Sequence, residues 1–167
     1  MTVLVGVVCQ DGVIIGTDSA MTSTAGPMQR TVQETDCVKI DIHFGEIVTA
    51  TTGAIGLSQR FRHELETLLQ GNELQKHRNK APVLYATEVA QKSLANFQKT
   101  LSPQQQHPHV GLGLGALMAF VSQGRAHLVE FEGMQFHPEL KGVLSNAGKP
   151  TTRPYVTMLY GDRKSVV

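Results

Sequence analysis

Hydrophobic positions along the chain follow two rhythms, and the rhythm changes just after Gly53. Before that point the apolar residues come in short, β-branched runs. Thr2-Val-Leu-Val-Gly-Val-Val-Cys9 and Val13-Ile-Ile-Gly-Thr17 flank Gln10-Asp-Gly12, the pattern of a tight hairpin. Both runs are nearly continuous rather than alternating, which predicts strands covered on both faces. Asp36-Cys-Val-Lys-Ile-Asp-Ile42 and Glu46-Ile-Val-Thr-Ala-Thr-Thr-Gly53 read as a second strand pair, joined through His43-Phe-Gly45. From Leu57 the spacing becomes helical. Phe61, Leu65, Leu68 and Leu69 recur among Arg60, Arg62, Glu64 and Glu66, and Val89, Ala90, Leu94, Phe97 and Leu101 continue the stripe over 81–101, so two amphipathic helices are predicted. Pro82 suits the first turn of the second helix. The polar stretch 70–80 separates them. Strand character returns over 110–123 and 125–133, on either side of Gly124.

Composition narrows the class without naming a function. A chain of 167 residues is long enough to bury a core as one domain spanning 1–167. Its net charge of +1 gives no electrostatic reason for binding nucleic acid or an anionic membrane. No apolar run is long enough to cross a bilayer and the start lacks a signal-peptide pattern, so the expected location is the cytoplasm. Cys9 and Cys37 both lie in predicted strands and read as buried free thiols. His107 and His109 share a loop without a carboxylate cluster, so no metal site is expected. Gly111, Gly113 and Gly115 lack dinucleotide-binding spacing and lead into a strand, so no cofactor is expected.

The chemistry-bearing residues gather around the first hairpin. One methionine precedes Thr2, and its removal would leave a threonine with a free α-amine and a hydroxyl on the same residue. An α-amine titrates near working pH, so it can take the hydroxyl proton without a histidine. The hairpin returns Asp18, at the far end of the second strand, to the same end as Thr2. Lys39 interrupts an apolar strand between Val38 and Ile40, facing either solvent or a site. Gly53 closes the fourth strand at its junction with a helix, where glycine permits unusual backbone angles and close approach of another chain.

The run from Thr2 to Asp18, with Cys37-Val-Lys39-Ile40 and Ile47 through Ala-Thr-Thr-Gly53, resembles proteasome β-type subunits and their bacterial relatives among the N-terminal-nucleophile hydrolases. The likeness is good over about the first sixty residues and looser to about Asn146. It implies an α+β, four-layer αββα sandwich of two mainly antiparallel sheets covered by helices. The C-terminal part is shortened against that pattern, with loss of part of one sheet. Thr2 would be nucleophile and base. The charge of Lys39 would favour its deprotonated groups, Asp18 would hold Lys39, and the Gly53 N–H would form an oxyanion hole. In the family's Gly-Ser-Gly turn, Asn146 takes the serine's place, with Ser145 adjacent. The Asp18–Lys39 interval is longer than the family's, placing an insertion in the 20–35 loop. Met21, Cys37, Thr51 and Ile55 would line a medium-sized uncharged pocket, and the stretch from Thr22 would pair with substrate backbone. By the same resemblance the chain is a threonine-type peptidase. It would form a homo-oligomeric ring, stacked as a double ring, cleave polypeptide substrates and take them from an AAA+ ATPase unfoldase. Two other readings share the fold: a non-catalytic or unprocessed subunit, and an amidase of small molecules.

Overall fold

Strands β1 (Thr2–Val8) and β2 (Val13–Thr17) form the expected terminal hairpin, antiparallel with Leu4 opposite Thr17 and closed by the Cys9 N–H donating to the Gly12 carbonyl at 2.7 Å. The computed structural model describes residues 2–9, 11–19, 21–25, 28–32, 38–53, 55–71, 79–99, 114–132, 137–141 and 155–161. Next come β3 (Met21–Ala25) and β4 (Met28–Val32), a separate two-stranded ribbon, where the sequence reading expects an inserted loop. Strands β5 (Ile40–His43) and β6 (Ile47–Gly53) form the second hairpin. Its turn uses left-handed backbone at Phe44 (φ 53°) and Gly45 (φ 69°), and only the glycine adopts this without steric cost.

Helices α1 (Ile55–Gln70) and α2 (Pro82–Gln98) follow, then β7 (Leu114–Ser122), β8 (Arg125–Glu132), β9 (His137–Lys141) and β10 (Tyr155–Gly161). Strands β5 to β9 make a five-stranded antiparallel sheet in chain order, and β10, β1 and β2 make a three-stranded one. The α+β architecture of two antiparallel sheets with helical cover is therefore present. Residues 155–161 close the first sheet by pairing along all of β1, with Thr2 opposite Gly161. The sequence pattern predicts no strand over this stretch, and the resemblance implies loss of part of a sheet.

Two apolar layers hold these elements. Between the sheets, Leu4, Ala50, Leu117 and Leu128 are fully buried, with Val8, Val13, Ile15 and Ile40 packed around them. A Cβ built on Gly6 would come within 2.5 Å of Leu128 Cδ2, so glycine at that point lets the sheets approach closely. On the opposite face of the five-stranded sheet, Phe61 and Leu65 of α1 and Val89 of α2 bury against Met118, Val129 and Phe131. The helices are cross-linked by Glu64, which is buried and accepts from Arg60 at 3.2 Å and from Asn96 at 2.7 Å.

Burial of β1 and β2 is less even than their continuous apolar character predicts. Leu4 and Gly6 are buried, Val3, Val5 and Val7 are half-buried, and Ile14 is 62% exposed. Among the described residues no helix is long and apolar enough to cross a membrane.

Candidate active site

Three of the residues singled out in the sequence meet at one end of the sandwich. Thr2 opens β1, and Asp18 follows β2 directly across the hairpin. The two chains are locked there by a reciprocal pair: the Val3 N–H donates to Asp18 Oδ1 at 2.8 Å, and the Asp18 N–H donates to the Val3 carbonyl at 3.3 Å. Lys39 enters from the other sheet. Its Nζ lies 3.2 Å from Thr2 Oγ1 and 3.2 Å from Asp18 Oδ1. The Lys39 side chain is 9% exposed and that of Asp18 29%. The expected strand position of Lys39 is corrected by one residue, since β5 begins at Ile40. Freed from strict alternation, the lysine turns towards Thr2.

This arrangement has a definite chemical sense. An ammonium held by a carboxylate places positive charge against a hydroxyl oxygen, which favours the alkoxide character an attacking nucleophile needs. The carboxylate oxygen that accepts from Lys39 also accepts a backbone N–H. It is therefore fixed in position by the hairpin.

The remaining predicted residues are placed less directly. Gly53 is exposed at the end of β6 with φ 116°, a conformation that favours glycine. It stands at the Lys39 end of its sheet, because the ladder pairs Ile40 with Ala50 and β6 runs three residues further. Thr51 is half-buried in β6, and Ile55 begins α1 and is 51% exposed. Met21 and Thr22 lie in β3, opposite Val32 and Thr31. Cys37 and Asn146 lie outside the described residues.

Three features near this end were not singled out in the sequence. Asp41, two residues after Lys39, makes an ion pair with Arg62 of α1; the strand–helix register that joins them has no local signature. Thr52, beside Gly53, has a buried hydroxyl without a hydrogen-bond partner among the described residues. Gly161 faces Thr2 across the ladder, and the β-rich run Tyr155-Val-Thr-Met-Leu-Tyr160 is the signal that could have revealed its strand. Among the described residues, no group of three or more His, Cys, Asp or Glu side chains is placed to hold a metal ion.

No protein-family model matches the chain, and no curated protein does. Solved structures do match. The helical assembly of the Anbu complex from Pseudomonas aeruginosa superposes with a TM-score of 0.59 at 16% identity, covering 95% of this chain and 60% of that one. Anbu (ancestral beta-subunit) from Yersinia bercovieri superposes with a TM-score of 0.60 at 12% identity, over 95% and 60% of the two chains. The chain thus spans 60% of the length of the structures it matches. At these identities the likeness establishes the fold. It also corrects the resemblance drawn from the motifs: the matching structures are Anbu proteins, and the fold does not clearly match a proteasome β subunit. The reason is physical. Thr2, Asp18, Lys39 and Gly53 describe the ends of two hairpins, a local geometry that does not record the rest of a subunit. The fold of this chain is that of the Anbu structures it matches.

Proposed function

We propose that this chain is a threonine-type peptidase subunit that acts within an assembly of its own copies. The observation that carries the reading is Lys39 Nζ at 3.2 Å from both Thr2 Oγ1 and Asp18 Oδ1. Removal of Met1 frees the Thr2 α-amine. The amine takes the hydroxyl proton as Thr2 Oγ1 attacks the carbonyl carbon of a peptide bond. Lys39 offsets the charge developing on oxygen, and Asp18 keeps Lys39 in place. The N–H of Gly53, a residue exposed at the end of β6, serves the tetrahedral oxyanion, a donor of the kind whose removal lowers kcat by about 10²–10³. The protonated amine passes its proton to the leaving amine, an acyl ester remains on Thr2, and water then hydrolyses it. In this reading Asn146 supports the nucleophile, the Thr22 backbone pairs with substrate, and Met21, Cys37, Thr51 and Ile55 line the pocket.

Assembly is part of the same proposal. The Anbu complex from Pseudomonas aeruginosa is a helical assembly, which supports self-association here. A ring stacked in two layers, lying in the cytoplasm and fed polypeptides by an AAA+ ATPase unfoldase, is its fullest form.

The test is intact mass before and after incubation with a peptide epoxyketone, a reagent that needs both the hydroxyl and the free α-amine of one terminal residue. A starting mass without methionine and a stoichiometric adduct, absent in Thr2→Ala, is the expected result. A retained methionine with no adduct would count against catalysis and favour an unprocessed, structural subunit. A monomer that forms the adduct and cleaves small amides but not peptides would turn the reading towards a small-molecule amidase.

A further inference from the structure

Thr52 carries a hydroxyl that the site so far leaves unused. The residue is 5% exposed, and among the described residues its Oγ1 has no hydrogen-bond partner. Leaving a buried hydroxyl unpaired is unfavourable, so its position matters. Strand alternation puts Thr52 on the same face of β6 as Ala50, which packs between the sheets against Leu4 and Leu117. Its ladder partner is Gly115, so β7 presents no side chain beside it on that face. On β1, Thr2 shares the face of Leu4 and Gly6, the face turned to the five-stranded sheet.

The two threonines lie at the same end of the sandwich. Gly6 stands over Leu117 and Leu128, Leu4 shares a cluster with Ala50, and Lys39 reaches Thr2. Strand β1 therefore crosses the second sheet from β8 towards β5 as it runs back to its first residue. Ile40 pairs with Ala50 at the start of that ladder, so Lys39, which precedes it, lies towards the end of β6 that carries Thr52.

We infer that Thr52 is a positioning residue for the nucleophile. Its Oγ1 accepts an N–H of the α-amine that Met1 removal exposes, either directly or through one water. A neutral amine has two N–H donors and one lone pair. Engaging an N–H on Thr52 turns the lone pair towards Thr2 Oγ1, where the proton must go. The inference rests on reading Thr2 as an N-terminal nucleophile and adds the group that orients its base.

Thr52→Val removes the hydroxyl at nearly constant shape, and Thr52→Ser restores it. In the processed protein, Thr52→Val is expected to lower kcat for a peptide substrate by about 10²-fold, the scale of a misplaced reacting group, with KM within twofold. An accepting oxygen also stabilises the protonated amine, so its loss moves the acid limb of the kcat/KM profile to lower pH. Thr52→Ser should return both. Wild-type kcat and an unmoved acid limb in Thr52→Val would overturn the inference.

A second measurement needs no activity. Tm is compared for Thr52→Val in the processed protein and in a form with an uncleaved extension before Thr2. The expected result is a gain in Tm in the extended form, where the hydroxyl is idle, and a loss in the processed one. Equal changes in both forms would overturn the inference. Absence of an epoxyketone adduct on wild type would sink the peptidase reading alone, and the two-form Tm comparison would still decide Thr52.

Discussion

At the scale of residues, the site depends on an ion pair that one strand end and one hairpin hold in register. Lys39 is 9% exposed at its side chain, so its ammonium is largely withdrawn from water and depends on neighbouring acceptors. Replacing it by alanine is expected to lower the rate of epoxyketone adduct formation by about 10²–10⁴, the range for loss of a positioned proton-transfer or charge partner. Adduct mass against time measures this. Asp18→Asn keeps an oxygen for the Val3 N–H but takes a carboxylate from Lys39. It should slow the adduct less than Lys39→Ala and lower Tm. Gly53 is a sharper case, because its φ of 116° lies where a side chain costs about 1–3 kcal/mol of backbone strain. Gly53→Ala should therefore lose both stability and kcat, with KM nearly unchanged if the N–H acts only on the oxyanion. Thr2, Asp18, Lys39 and Gly53 could all be found in the sequence because each sits at the end of a patterned strand. Asp41, Arg62 and Thr52 could not, since their meaning arises from strand–helix register and from one face of one sheet.

At the scale of elements, the short β-branched runs and the helical spacing predict β1, β2, β5 to β8 and both helices, with boundaries within a few residues among those described. The ribbon β3–β4 reads as loop from sequence because its strands are rich in Thr, Ser and Gln, and only a β-branched content and the Gly26-Pro27 break mark it. Between β5 and α1 lies a contact with a pH dependence. His43 is 2% exposed, its Nε2 is 2.8 Å from Thr49 Oγ1, and its Nδ1 is 3.7 Å from Glu66 Oε1. Burial pushes the imidazole below its ordinary range, outweighing the opposing pull of Glu66. Burial also lowers His127, against its hydrogen bond to the Ser122 carbonyl. For both groups the unfolded chain binds protons more readily than the folded one, so stability rises with pH through this window. It is fully present above the unfolded value of about 6.5 and is lost as pH falls below it. Tm measured from pH 7.5 to 5 should therefore drop, and His43→Gln, which keeps a polar group for Thr49 and cannot charge, should flatten that drop. An equal slope in the variant would assign the titration elsewhere.

At the scale of the whole molecule, the three-stranded sheet has β1 at its centre and β2 and β10 at its edges. Thr2 is thus held by a strand that begins about 150 residues later in the chain (Tyr155), a long-range closure that no local pattern announces. Without β10, the backbone groups of β1 would face outwards as an edge able to pair with another chain. Ending the chain after Pro154 is expected to leave α1, α2 and β5 to β9 with a competent core, because Phe61, Met118 and Phe131 bury on the far face of that sheet. The same truncation should abolish adduct formation at Thr2 and turn ordered assembly into heterogeneous association, visible by size-exclusion chromatography with light scattering. The full chain should instead run as a discrete species many times the monomer mass. A head-to-tail interface between identical subunits closes into a ring if its rotation divides the circle, and continues as a helix if it does not. A small change in the angle between copies therefore suffices to move between the two. Electron microscopy of the full chain would separate them, and a strictly monomeric species that still forms the Thr2 adduct would show that catalysis does not require the assembly.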